Sequence, residues 1–343
     1  MARTFCRSSE GRIPRMTSVV RSESTPLGPE SPTATSAELP RPRRKSLWSR
    51  VWYERGMYLF IIPGFLFFVV FRYIPLLGNV VAFQDYSPFL GVLHSQWIGL
   101  QNFVNLVTNP DVVTAIENTL IINGLQIIFF FPAPIALALL LNSILSQTVK
   151  RVIQTVVYLP YFIGWVVLVS VWQSVLGGDG LLNQTLTSHG MGPINLMSNP
   201  DLFKPMMVLQ YIWKYVGWGT IIFLAAISKV DPALYESAAM DGAGSLRRMW
   251  HITLPGIRGI TILLLILNLG NILTTGFEQI LLQEPAVGAD AGQVLDTFVY
   301  FEGIVGGQWG LAAAVGLVKG VVGSILVISA NKIAHMMGEA GVF

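Results

Sequence analysis

The chain has 343 residues, 52% of them hydrophobic and only 12% charged, with a mean hydropathy of +0.58. A soluble domain carries about 25% charged residues, so these figures exclude an ordinary water-soluble globule and point to a chain solvated by lipid. A net charge of +3 does not indicate a nucleic-acid partner, and the lone cysteine, Cys6, excludes a disulfide framework within the chain.

Residues 1–47 are rich in Ser, Pro, Thr and Arg and poor in large apolar side chains. Such a segment cannot bury enough apolar surface to fold alone, and it lacks the apolar stretch of a secretory signal peptide. It is expected to be a disordered cytoplasmic tail, with Met16 as an alternative start. Residues 48–343 are expected to form one transmembrane domain. Six apolar stretches follow, near 57–81, 112–141, 153–176, 206–228, 258–281 and 309–331, each close to the roughly 20 residues that cross a hydrocarbon core as a helix.

The connections set an orientation. Arg41, Arg43, Arg44, Lys45, Arg50 and Arg55 precede the first stretch. Lys150 and Arg151 separate the second and third. Lys229, Arg247, Arg248 and Arg258 surround the loop between the fourth and fifth, and Lys332 follows the sixth. The alternate loops hold Lys204 against eight acids: Asp85, Asp111, Asp179, Asp201, Glu284, Asp290, Asp296 and Glu302. Basic residues stay on the cytoplasmic side. The expected fold is therefore all-α: a polytopic membrane protein with six transmembrane helices and both termini cytoplasmic. Pro63, Pro132, Pro134 and Pro160 interrupt the stretches as kinks or as hinges. Asn183-Gln184-Thr185 matches a glycosylation sequon, a three-residue match expected by chance.

Catalytic signatures are missing. The sequence has no G-x-x-x-x-G-K-[ST], no H-E-x-x-H and no G-x-S-x-G. His94, His189, His251 and His335 are scattered without metal-ligand spacing, so no metal site and no enzyme activity are expected in this chain.

The loop at 229–257 is patterned. Asp231 is placed as a helix N-cap and Pro232 at the first helical position. A helix over about 232–240 should end at Gly242 and Gly244. Leu234, Ala238 and Asp241 share one of its faces. A second short helix carries Arg247, Arg248, Met249 and Trp250 back to the bilayer, with Pro255 marking the entry to the fifth span. A short helix held rigidly by two spans can dock on a soluble partner and pass motion to the membrane; it can equally be a plain connector.

This segment resembles the "EAA" loop of ABC importer permeases, in which E-A-A is followed after three residues by G and after nine more by I-x-L-P. Glu236, Ser237 and Ala238 stand at E-A-A, Gly242 at the glycine, and Ile252, Leu254 and Pro255 at the end, with Ser237 replacing the first alanine. Phe71-Arg72-Tyr73-Ile74-Pro75 with Gly78, Asn118-Thr119-Leu120, Tyr158-Leu159-Pro160, and Leu234-Tyr235-Glu236 with Asp241-Gly242-Ala243 look like the carbohydrate branch of that family. Gly276-Phe277-Glu278-Gln279 and Ala330-Asn331 look closest to permeases for oligosaccharides or polysaccharide fragments.

The resemblance implies a permease subunit of an ATP-driven sugar importer in a bacterial cytoplasmic membrane. Glu236, Ser237, Ala238, Asp241, Gly242, Ile252, Leu254 and Pro255 would form its coupling element. It implies a second permease chain, two ATPase subunits that bind ATP and Mg, and an extracytoplasmic solute-binding protein. No cofactor is implied in this chain. A secondary carrier driven by an ion gradient is the first rival reading, and a multi-pass membrane enzyme the second.

Polar residues at membrane depth are costly and usually face a partner or a cavity. Ala312, Gly316, Lys319 and Gly323 fall on one helical face, and Gly316 and Gly320 form a small-residue pair suited to close helix packing. Asn268, Asn271, Thr275 and Glu278 fall on one face of a continuous fifth span. At about 1.5 Å rise per residue, Lys319 and Asn271 lie at one depth. A Lys319–Glu278 pair would need a tilt or a snorkelling lysine. These residues form either a polar wall along a sugar path or hydrogen bonds that only fix the bundle. Trp165, Tyr211, Trp213 and Trp218 could stack on sugar rings or simply pack.

Overall fold

A computed structural model describes residues 55–336 together with 338 and 341. The expected tail at 1–47, with Arg41, Arg43, Arg44, Lys45 and Arg50, lies outside the described residues. The chain divides into two units at Ile62 and Pro63. Of the first, residues 55–62 are described, as the opening turns of helix α1.

The major helices are α1 (Arg55–Phe68), α2 (Pro110–Leu125), α3 (Pro132–Ser143), α4 (Gln147–Tyr158), α5 (Trp165–Leu176), α6 (Pro200–Ile227), α7 (Pro232–Met240), α8 (Arg258–Gly270) and α9 (Trp309–Met336). Strands β1 (Gln84–Asp85) and β2 (Gln96–Trp97) pair antiparallel in a small hairpin. Among the described residues, four helical stretches are long and apolar enough to cross a membrane: Arg55–Phe83, Pro110–Ser143, Trp165–Ser188 and Trp309–Met336. The number rises to six if two bent pairs each count as one span. One pair is α6 with α7, bent by 73°, and the other is Ser245–Gly256 with α8, bent by 59°.

Two expected spans are interrupted. The stretch at 153–176 is split between α4 and α5, because a 3-10 turn over Leu159–Phe162 and extended backbone at Ile163 and Gly164 break the helix. Pro160 contributes no N–H to the helix ladder there. The stretch at 258–281 ends as a helix at Gly270 and resumes as a short helix over Phe277–Leu281.

Apolar packing joins these pieces. Ala82, Val112, Ala115, Leu295, Phe298, Leu311, Ala314 and Val315 form one cluster between the end of the first helical stretch, α2, the turn at Leu295–Phe298 and α9. Ala138, Phe223, Ile227 and Ile257 form another, where α3 and α6 meet the start of α8. Close contacts depend on glycine. A Cβ at Gly323 would lie 2.6 Å from the Gly270 carbonyl oxygen, so α8 and α9 touch there. Gly316 and Gly320, expected at such a contact, instead have open space where a Cβ would stand.

Side-chain amides fasten the segment after α8 onto α2 and α6. Asn118 Nδ2 donates to the Asp290 and Gln293 carbonyls at 3.1 and 2.9 Å, and Thr119 Oγ1 accepts from Leu295 N–H at 2.9 Å. Gln279 and Gln283 each donate to Gln210 Oε1, and Gln210 donates back to Gln283 Oε1. All three glutamines are buried. Hydrogen bonds between helices in lipid average about 0.6 kcal/mol each, with a maximum of about 1.7 kcal/mol. The sequon residue Asn183 is buried as well, holding the Gly177, Gly178 and Ile194 carbonyls, which makes it a loop clamp.

Glu284 sits in this segment, buried, with Oε2 unpartnered. Burial pushes its carboxyl above the usual range, and the Thr297 hydroxyl only partly opposes this. The folded chain therefore holds this proton to a higher pH than the unfolded chain does. Stability from the protonated group is full below pH 4.5 and is lost as pH rises through the raised value. Glu284→Gln removes the charge that burial penalises and should therefore be the more stable chain near neutral pH. It should also flatten the decline in thermal stability between acidic and neutral buffer. An unchanged pH profile in melting curves would refute this.

Candidate functional site

The loop at 229–257 is built as a short rigid lever. Asp231 caps α7, its carboxylate accepting from Ala233 N–H at 2.9 Å. Asn and Asp favour this position because a side-chain oxygen satisfies a free N–H. At the other end Ala243 N–H donates to the Ala238 carbonyl and Gly242 N–H to that of Ala239, with Gly242 at φ +75°. This Schellman arrangement needs a left-handed residue, which glycine adopts without strain. Gly244, expected to share that role, instead precedes the next helix, Ser245–Arg248, as its N-cap. The Tyr235 and Thr253 hydroxyls share a 3.0 Å hydrogen bond, tying α7 to the helical turn at Met249–Thr253. A Cβ at Gly256 would come within 2.7 Å of Val230, so the base of the loop is closed.

The expected loop residues separate into two groups. Glu236, Ser237, Asp241 and Gly242 are exposed and Ala238 is half-buried, on a helix that buries none of its residues. Leu234, Met240, Leu246 and Trp250 add exposed apolar surface. Leu254 packs on the cluster of Ala138, Phe223, Ile227 and Ile257, and Ile252 is half-buried. Pro255 opens the turn before α8. The first group presents a surface, and Leu254 packs the base of the loop against α3 and α6.

The polar residues at membrane depth also divide. The break after Gly270 removes the single helical face expected for Asn268, Asn271, Thr275 and Glu278. Thr275 is buried and its Oγ1 accepts from Asn123 Nδ2 at 2.9 Å, a bond that fixes α2 to the break. Glu278 is exposed on the following short helix. Asn268 and Asn271 donate back to the Leu264 and Leu267 carbonyls, leaving each Oδ1 available. Both line a cavity of about 70 Å³ with Asn123, Gln126 and Tyr211. Asn271 also lines a larger cavity of about 800 Å³, with Thr274, Asp296, Gly316, Lys319 and Gly320.

Lys319 pairs with Asp296, not with Glu278. Asp296 Oδ2 also accepts from Thr275 N–H at 2.9 Å, so the carboxylate is held from two sides. In the sequence Asp296 reads as a loop acid. The break in the fifth stretch lets the chain fold back and return Asp296 to the depth of Lys319. A second cation, Lys214, was not singled out by the sequence. It lies buried midway along α6 and donates to the Tyr161 and Ile163 carbonyls at the break between α4 and α5. Its ammonium stands 5.2 Å from the Trp165 ring centroid and 5.5 Å from that of Tyr215. A lysine near the middle of an apolar stretch was the available signal. The aromatics largely engage one another: Trp218 stacks on Tyr161 at 4.2 Å, Trp213 meets Trp172 at 5.6 Å, and Tyr211 packs on Phe130 at 4.8 Å.

Comparison with known proteins bears on both regions. Residues 131–337 match the family described as "Binding-protein-dependent transport system inner membrane component". The chain is 44% identical over 315 residues to the polygalacturonan/rhamnogalacturonan transport system permease protein YteP of Bacillus subtilis (strain 168), covering 92% of this chain and 98% of that one. It is 45% identical over 291 residues to protein LplB of the same organism, covering 84% and 92%. Among solved structures it is similar to a chain of a bacterial alginate ABC transporter in complex with an alginate pentasaccharide-bound periplasmic protein. The TM-score is 0.79 at 34% identity, covering 86% of this chain and 99% of that one.

Proposed function

The chain belongs to the family of binding-protein-dependent transport system inner membrane components, and we propose that it is the permease subunit through which an ATP-driven importer passes a sugar or oligosaccharide into the cytoplasm. The observation that carries this reading is the lever at α7. A capped helix, pinned to the membrane helices at its base and exposed along its outer face, suits docking on a soluble motor. Glu236, Ser237, Ala238, Asp241 and Gly242 form the docking surface, and Ile252, Leu254 and Pro255 transmit its motion to α8. ATP and Mg are bound by two separate ATPase subunits. The membrane topology is six spans with both termini and the lever cytoplasmic, supported by the four long apolar stretches, by α6 and α8 on either side of the lever, and by the basic loops. Residues 1–47 form a cytoplasmic tail.

A second permease chain and a solute-binding protein complete the assembly, a reading supported by the similarity to a transporter solved with its periplasmic protein. The solute is carbohydrate, supported by the named cargo of YteP and of the alginate transporter. Asn268, Asn271 and Lys319 line the path. Thr275 and Glu278 act beside it, Thr275 through its bond to Asn123.

The Lys319–Asp296 pair is also what a carrier driven by an ion gradient could use. Reconstitution separates the two readings. With the partner subunits and binding protein in vesicles, glycan uptake should require hydrolysable ATP and vanish when the ATPase subunits are inactivated. Uptake by this chain alone, driven by a proton or sodium gradient, would refute the importer reading.

A further inference from the structure

The larger cavity holds a donor and acceptor set with a definite chemistry. Lys319 and Asp296 compensate each other's charge, so the wall carries no net charge at this point. An ammonium has three donors, and Asp296 is the partner found for Lys319 among the described residues. Two donors remain. Each Asp296 oxygen uses one of its acceptor positions, Oδ1 on Lys319 and Oδ2 on Thr275 N–H, and keeps another. Both side chains are partly accessible, at 15% and 21%. Beside them stand Asn271, with Oδ1 free to accept, and Thr274, which is exposed. The open space at Gly316 and Gly320 lets a ligand approach Lys319 without a side chain in the way. A cavity of about 800 Å³ is within the roughly 300–1,000 Å³ of small-molecule sites.

We propose that Asp296 and Lys319 together form a diol-reading subsite, in which one sugar hydroxyl donates to Asp296 and its vicinal neighbour accepts from Lys319. This rests on the importer reading and names what the site recognises. A carboxylate only accepts hydrogen bonds, and at Lys319 it would meet Asp296 as a like charge. A hydroxyl both donates and accepts, and a vicinal pair matches an adjacent acceptor and donor. The subsite therefore recognises hydroxyl arrangement and is indifferent to whether the sugar also carries an acid group. Thr275 positions Asp296 through its backbone, which keeps the carboxylate in place when Lys319 turns to the ligand.

The test uses the full importer in vesicles and three probes: a galacturonate trisaccharide, its methyl ester, and the ester with its vicinal hydroxyls O-methylated. Assembly of each variant is checked by co-purification of the ATPase subunits. Wild type should import the acid and the ester with KM values within about threefold, well under the tenfold that about 1.4 kcal/mol produces, and should lose the O-methylated probe. Asp296→Asn leaves Lys319 uncompensated and should shift preference toward the acid by about tenfold in KM, since a charge-assisted bond is roughly twice as strong as a neutral one. Thr274→Val leaves the ion pair intact and should raise KM for acid and ester alike. Equal import of the O-methylated probe, or an unchanged acid-to-ester ratio in Asp296→Asn, would overturn the subsite while leaving the importer reading in place. Absence of ATP-dependent import of every probe by wild type would overturn the subsite, and absence of ATP-dependent uptake of any glycan would overturn the importer reading as well.

Discussion

Gly242→Pro is expected to abolish co-purification of the ATPase subunits with this chain while leaving its membrane helices folded. The reason is local and double. Gly242 holds φ at +75°, and proline is locked near −65°. The substitution also deletes the N–H that bonds the Ala239 carbonyl. Forcing this position out of its conformation costs about 1–3 kcal/mol and the lost hydrogen bond about 0.5–1.5 kcal/mol, together on the order of 3 kcal/mol, and here the loss falls on an exposed helix with no buried residue to offset it. At about 1.4 kcal/mol per tenfold in affinity, association should weaken by roughly a hundredfold. Glu236→Arg leaves the backbone alone and reverses a charge on the exposed face, so it should impair docking without altering α7. Binding of the ATPase by both variants as tightly as by wild type would exclude α7 as the docking surface.

Lys214→Met is expected to destabilise the chain without touching the lever or the Lys319 cavity. Lys214 supplies hydrogen bonds to the Tyr161 and Ile163 carbonyls at the broken stretch between α4 and α5. Irregular backbone at membrane depth persists only where protein groups satisfy it, and each orphaned carbonyl costs about 1–3 kcal/mol. Methionine fills most of the volume but donates nothing. The variant should melt earlier in detergent, and amides near 159–164 should exchange hydrogen faster than those of α9. Lys214→Arg keeps the donors and the contact with the Trp165 and Tyr215 rings, and should recover part of the loss. Wild-type melting of Lys214→Met would mean that other donors reach those carbonyls.

The capped helix of the loop was legible in the sequence, Gly244 apart, because its determinants are local. An N-cap aspartate, a proline at the first helical position and a glycine six residues after the glutamate are written in consecutive sequence. The structure places Asp231 and Gly242 in those capping roles, and the family match covers the same loop. The polar interior was less legible. Asn268, Asn271, Thr275 and Glu278 were read on one continuous helix, and that inference failed at Gly270, where α8 ends. Periodicity assumes an unbroken helix, and a short interruption rotates every later residue away from its expected face. Asp296 was counted with the loop acids for the same reason: charge asymmetry reads which loops alternate, not how deeply a loop folds back.

The sequence by itself determined that the chain is lipid-solvated, that it carries several stretches long and apolar enough to cross a membrane, and that a patterned loop lies at 229–257. These follow from composition, stretch length and local capping, which need no long-range contact. The tertiary structure alone decided that Lys319 pairs with Asp296, that Lys214 caps a broken stretch, and that Gly323, not Gly316 or Gly320, meets α8. Those outcomes depend on where the helices break. A backbone freed at membrane depth must find its partners from distant parts of the chain, and no local pattern records which residues supply them.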